Sequence, residues 1–356
     1  MPNIQYFLGA NSPQGFYSLY DQLIDLERAS AVYVLKGGPG CGKSTLMRRV
    51  AKAAEEAGLL VEYIICSGDP QSLDGVVLPT LGAALVDGTA PHVVEPRYPG
   101  VVERYVDLGA CYDTQALVPL RPQIRECMTG YKGCYQRAYR CLAAAARIRE
   151  DMRATLLTTQ LEAKMEKRAA GILGREVRRR KDRGQGRVVQ RFLSGITHKG
   201  VVTLYGTAEE QCGRVYELVD SYGLAHTMLT YLLTGITAGG YDVVACPSPV
   251  FPERLEHLIV PELGLGFVSC SRSRELTGHP YRRIRLDAMI DGELMRTSRP
   301  RLRFSARIAD ALTDEAVASL AQAKRMHDEL EAIYNPHVDF GRVNDTADRI
   351  IDQLIK

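Results

Sequence analysis

The sequence predicts an α/β fold, a mostly parallel sheet flanked by helices, built twice in tandem with the second copy degenerate. Three observations predict it. An apolar strand, a glycine loop and an amphipathic helix follow one another near the start. Further apolar runs then end in polar residues, as strands of an open sheet do. Finally, blocks of the first half echo in the second at a spacing of about 180 residues.

Ala31-Val32-Tyr33-Val34-Leu35 is apolar and partly β-branched, as expected of a strand covered on both faces. From Lys43 to Ala57, Leu46, Met47, Val50, Ala51 and Ala54 share one helical face, and Gly58 ends the helix. Between them Gly37-Gly38-Pro39-Gly40-Cys41-Gly42-Lys43-Ser44-Thr45 fits the phosphate-loop pattern G-x-x-x-x-G-K-[ST] at every fixed position. Glycines let successive N–H groups turn inward toward phosphate oxygens, and the helix start adds its positive dipole end. In this reading Lys43 meets the β/γ-phosphates and the Ser44 hydroxyl ligates Mg²⁺. The fold class is therefore that of a P-loop NTPase, with ATP and Mg²⁺ as expected cofactors.

Ahead of this unit, Gly15-Phe16-Tyr17-Ser18-Leu19-Tyr20 leads into an expected short helix through Glu27. After it, Val61 to Cys66 reads as a second strand closed by the turn Ser67-Gly68-Asp69-Pro70. Asp69 and Asp74 then lie where open sheets bind ligands, or else only cap a turn and the element after it. Leu81-Gly82-Ala83-Ala84-Leu85-Val86-Asp87 has the shape of a Walker-B strand, whose closing carboxylate holds Mg²⁺ opposite the loop hydroxyl. Gly88 follows where many hydrolysing ATPases carry a water-activating Glu, so fast hydrolysis is not expected. His92 either faces the γ-phosphate or is an ordinary solvated or core histidine.

Residues 121–172 turn Ala-, Leu- and charge-rich with helical spacing, and two or more helices are expected. Cys127, Cys134 and Cys141 recur every seven residues, too far apart to share an ion, and read as a buried stripe. Arg175 to Arg187, with Lys181, is the most basic run. It reads as a linker or exposed helix end, with nucleic-acid contact over 175–191 as the alternative. The expected division is 1–174, an active domain with a helical tail; 175–194, a basic linker; and 195–356, a degenerate domain.

The echo is specific. Gly200-Val201-Val202-Thr203-Leu204-Tyr205 matches Gly15 to Tyr20, and Leu255, Pro261, Leu263 and Gly264 follow Leu73, Pro79, Leu81 and Gly82 by 182 positions. Ala323, Arg325, Met326 and Leu330 follow Ala145, Arg147, Ile148 and Met152 by 178. At the loop, however, the second copy offers Val219-Asp220-Ser221-Tyr222-Gly223-Leu224-Ala225-His226-Thr227, with one glycine and no lysine, and Ser269 stands for Asp87. One nucleotide per chain is expected, with the second half structural, regulatory or a docking platform for a protein partner.

A net charge of +3 over 356 residues, 46% hydrophobic and 24% charged content describe a globular chain with no global pull toward polyanions. The start lacks a signal-peptide pattern and no apolar run spans a bilayer, so no membrane partner is expected. Nine scattered cysteines suit reduced thiols in the cytoplasm.

The blocks Leu35 to Thr45, Cys66-Ser67 with Ser72-Leu73-Asp74-Gly75, and Val86-Asp87-Gly88-Thr89-Ala90-Pro91-His92 resemble the bacterial tandem P-loop ATPases, over nearly the whole chain. The resemblance implies ATP binding and says little of a substrate. Members commonly carry a second working loop, from which this chain departs at Val219 to Thr227. Three functions follow: a slow Mg²⁺-dependent ATPase that moves one half against the other, with Lys43 and Asp87 as its central residues; a small-molecule or nucleotide kinase; or a nucleotide-gated scaffold without turnover. The kinase reading rests on the likeness of Gly37-Gly38-Pro39-Gly40 to the adenylate kinase loop, and its candidate arginines are Arg97 and Arg104.

Overall fold

The computed structural model describes residues 3–180, 182–271, 276 and 278–355. Lys181, within the basic run, lies outside the described residues.

The chain opens with strand β1 (Ile4–Tyr6) and a hairpin of β2 (Gly9–Ser12) and β3 (Gly15–Ser18). Where a helix through Glu27 was expected, only a single 3₁₀ turn forms, at Tyr20–Gln22. Next come β4 (Ala31–Lys36), α1 (Lys43–Glu56), β5 (Glu62–Ile65), β6 (Leu73–Leu78), β7 (Ala83–Asp87) and β8 (Glu103–Asp107). Helices α2 (Thr114–Leu117), α3 (Arg121–Leu156) and α4 (Thr159–Glu176) close the first half. The second half runs β9 (Val188–Gln190), the hairpin β10 (Ser194–Thr197) and β11 (Gly200–Thr203), α5 (Tyr205–Gln211), β12 (Arg214–Val219) and α6 (Ala225–Ala238). It continues with β13 (Val243–Pro247), β14 (Leu255–Val260), β15 (Leu265–Cys270), β16 (Arg282–Arg285), α7 (Gly292–Tyr334) and α8 (Phe340–Leu354).

The described residues form two six-stranded mixed sheets flanked by helices, ordered β1-β5-β6-β7-β4-β8 and β9-β13-β14-β15-β12-β16. Strand for strand the orders correspond, an arrangement compatible with a duplicated α/β domain. The sheets are mixed rather than mostly parallel because β6 and β14 run antiparallel to both neighbours. The cause is local. A 3₁₀ turn at Pro79–Leu81, ended by Gly82 at φ 62°, joins β6 to β7 and leaves no room for a parallel crossover. Pro261–Leu263 and Gly264 at φ 57° do the same between β14 and β15. This turn also delays the start of the expected Leu81–Asp87 strand to Ala83.

Helix α4 runs through the division at 174, and helices of each half pack against the other. Antiparallel α3 and α7 lie together along their length, with Arg137–Glu315 at 2.5 Å, Arg149–Asp310 at 3.1 Å and Arg301–Asp151 at 2.6 Å. Beyond that pair each arm packs on the other half's sheet. Leu161, Met165, Ala169 and Ile172 of α4 share a core with Met228, Leu232 and Ile236 of α6, while Val343, Ala347 and Ile350 of α8 join the core beneath α1. Full burial of each large apolar side chain contributes about 1.5–3 kcal/mol, so the exchanged helices are firmly held. Phe7 and Phe192 exchange two backbone hydrogen bonds of 2.9 Å and join the halves at their hairpins. Among the described residues no helix is long and apolar enough to cross a membrane.

Candidate functional site

The candidate site is built at the carboxyl ends of β4 and β7, where Leu35 lies beside Asp87 in register. Strand β4 is buried through Leu35, which fixes the point from which residues 37–42 emerge. Gly40 at φ 70° and Gly42 at φ 84° turn the chain into α1, which begins at Lys43 without a side-chain cap. The Lys43 ammonium donates to Gly37 O at 2.7 Å and Gly38 O at 2.8 Å, and lies 3.6 Å from Asp87 Oδ2. The Ser44 hydroxyl accepts from the Leu73 N–H at 3.0 Å, and Asp87 Oδ1 accepts from the Thr89 N–H at 2.8 Å and its hydroxyl at 2.5 Å. A lysine, a hydroxyl, a carboxylate and an uncapped helix start thus meet in one place. Pro39, Cys41 and Thr45 complete the loop. Pro39 O accepts from Tyr112 OH at 3.0 Å, Cys41 is buried, and burial raises its thiol pKa against the lowering effect of Lys43.

The loop's outer wall comes from the far end of the chain. A Cβ on Gly40 would lie 2.3 Å from Asn335 Oδ1, just beyond α7, and one on Gly42 would lie 3.3 Å from Val343 Cγ1 of α8. The Tyr112 and Tyr334 rings pack at 5.3 Å, and the Asp113 and Asp339 N–H groups donate to His337 O and Cys111 O. None of this contact is legible from local sequence.

The matching place in the second half is filled from within. Residues 220–224 join β12 to α6 with one residue fewer than 37–42, and Gly223 at φ 72° matches Gly40. The half-buried Asp220 carboxylate accepts from the N–H groups of Tyr222 at 3.1 Å, Leu224 at 3.0 Å and Ala225 at 2.7 Å. An internal anion occupies the turn that a phosphate would need. Ala225 stands for Lys43, and His226 stands for Ser44: its Nδ1 accepts from the Leu255 N–H at 3.1 Å, as Ser44 accepts from Leu73.

Of the remaining candidates, Asp74 and His92 come together and the others disperse. Asp69 accepts from the Gln71 N–H and the Ser72 hydroxyl, and pairs with Lys324 of α7 at 3.3 Å; after the cost of burial, these partners hold its carboxyl below the usual range. Asp74 is not on the rim but buried in β6, where burial raises its pKa and His92 opposes the rise. It accepts from Tyr20 OH at 2.9 Å and lies 3.4 Å from His92 Nε2. His92 is buried between the Phe16 and Tyr20 rings, each at 5.0 Å. Arg97 and Arg104 are exposed and stand at the opening end of β8, level with Val32 and Tyr33, away from the loop. Gly88 is closed to any side chain, since a Cβ there would lie 2.5 Å from Val34 Cγ1.

The basic run is a seam rather than a free linker. Arg180 and Arg183 pair with Glu262, Arg187 with Asp242 and Arg191 with Glu62, while 188–190 form β9. Those four guanidinium groups pair with carboxylates of the chain itself, while Arg178 and Arg179 are exposed. None of the nine cysteines is in a disulfide.

Comparison with protein-family models, with curated proteins and with solved structures returned no match for the chain.

Proposed function

We propose that the chain binds MgATP at residues 37–45 and hydrolyses it slowly, with the second half non-catalytic. One observation carries the reading: Lys43, Ser44, Asp87 and the start of α1 converge at the carboxyl ends of adjacent parallel strands. In phosphoryl transfer the protein chiefly positions and neutralises charge. Lys43 would leave the Gly37 and Gly38 carbonyls for the β/γ-phosphates, and the loop N–H groups would turn to their oxygens. Ser44 and Asp87 would hold Mg²⁺, which supplies neutralisation of phosphate charge. The closed position at Gly88 supports slow turnover. Membership of the tandem P-loop ATPases is part of this proposal.

A nucleotide-gated role is favoured as a second reading by the packing of Asn335 and Val343 on the loop, through which occupancy would reach the second half. The kinase reading draws no support from Arg97 or Arg104, which point away from the loop.

The test is ³¹P NMR of MgATP with the wild type beside Lys43→Ala. Inorganic phosphate released by the wild type alone is expected. ATP bound but intact in the wild type would leave the gating reading, and equal behaviour of the two proteins would refute the site.

A further inference from the structure

We propose that Cys66, Asp74 and His92 form a binding site for a thiophilic divalent cation of the zinc class, distinct from the Mg²⁺ expected beside the nucleotide. One ligand atom from each residue lies within 4.8 Å of the other two. Three separate features aim them at one point. Cys66 follows β5 directly. Asp74 is the extra residue of a β-bulge, because Ile64 pairs with Gly75 and Ile65 with Leu73, which re-aims its side chain. His92 enters from the loop after β7 and is only 8% exposed.

The surroundings are those of a metal site. Burial and then the neighbouring Asp74 carboxylate push the Cys66 thiol well up, opposed by hydrogen bonds to its sulfur from the Asp69 and Gly68 N–H groups. Tyr20 OH holds the Asp74 carboxylate at 2.9 Å. His92 presents Nε2 to Asp74 at 3.4 Å, while its Nδ1 is buried with no hydrogen-bond partner. Thiolate, imidazole and carboxylate together select zinc over magnesium or calcium. A tetrahedral ion with bonds of about 2.0–2.3 Å keeps its ligands about 3.3–3.8 Å apart, so closure asks for shifts on the order of 1 Å. On binding, the Cys66 S–H bond gives way to a sulfur–metal bond, the proton leaves to solvent, and nothing changes oxidation state. The second half has Ser248 in the place of Cys66, its N–H bonded to Arg254 O as that of Cys66 is bonded to Ser72 O. It therefore lacks the sulfur.

The probe is Co²⁺ added to the full chain after chelator treatment, read by absorbance. The expected result is about one Co²⁺ per chain showing a thiolate-to-cobalt charge-transfer band with the strong visible bands of tetrahedral cobalt, displaced by Zn²⁺. The charge-transfer band should vanish in Cys66→Ser and persist in Lys43→Ala and in Cys111→Ser, a thiol elsewhere in the core. Should Cys66→Ser fail to fold by circular dichroism, His92→Gln serves, and the tetrahedral spectrum should be lost there. The other cluster with metal-ligating geometry among the described residues, His327, Asp328 and Glu331, has no sulfur. A cobalt spectrum without the thiolate band, or a band surviving in Cys66→Ser or His92→Gln, would overturn the proposal. The Lys43→Ala arm makes the outcome independent of the nucleotide reading.

Discussion

Lys43 and Ser44 stand at least 43 residues before Asp87, yet each was legible as a candidate, because strand ends and helix starts carry local signals. Asp220 gave no such signal: its role depends on three N–H groups that converge only once the loop has folded. His92 and Asp74 were legible as candidates but not as partners, since a bulge and a buried loop bring them together. If Asp87 holds Mg²⁺, Asp87→Asn keeps much of the nucleotide affinity and loses most of its Mg²⁺ dependence in a calorimetric titration; an unchanged metal dependence would remove that role. His226 gives a pH prediction. Burial, followed by the charges of Arg153 and Arg254, lowers its pKa below the ordinary value of about 6.5. The unfolded chain therefore binds this proton more readily than the folded one, and the stabilisation, complete above about pH 6.5, is lost as pH falls toward the lowered folded value. His226→Gln should flatten that part of the stability profile measured by denaturant midpoint; the same slope in both proteins would contradict it.

At the scale of elements, the strands with unbroken apolar runs were the readable ones. Strand β6 was not, because Asp74 and Gly75 interrupt Leu73 to Leu78, and its antiparallel direction follows from a turn of four residues, Pro79 to Gly82. Helical periodicity announced α3 and α4 but not where they dock, since an apolar face does not name its partner. The decisive element is α7. At 43 residues it runs about 65 Å, from the second sheet to the phosphate-loop candidate, and delivers Asn335 and then α8 to Gly40 and Gly42. If the loop takes up ATP, hydrogen exchange should slow at residues 331–343 as well as at 37–45. Protection confined to the loop would mean that the second half does not sense the nucleotide.

Across the whole molecule, two sheets of matching order share exchanged helical arms, and each arm sits on the other half's loop. Arg153 of α3 donates to Gly223 O at 3.2 Å, while Asn335 abuts Gly40. The tandem echo was visible as matched blocks; the exchange was not, because contacts more than a hundred residues apart leave no trace in spacing. The arrangement makes the two loops physical counterparts, one lined by a lysine and one closed by an aspartate. At a hundredfold excess over its dissociation constant, ATP bound to the folded chain alone would stabilise it by about 2.7 kcal/mol. The most direct measurement is the stoichiometry of MgATP by isothermal titration calorimetry, with wild type and Lys43→Ala side by side. The account predicts one ATP per wild-type chain and no tight binding to the variant. Two ATP per chain, or one bound with equal affinity by Lys43→Ala, would contradict it.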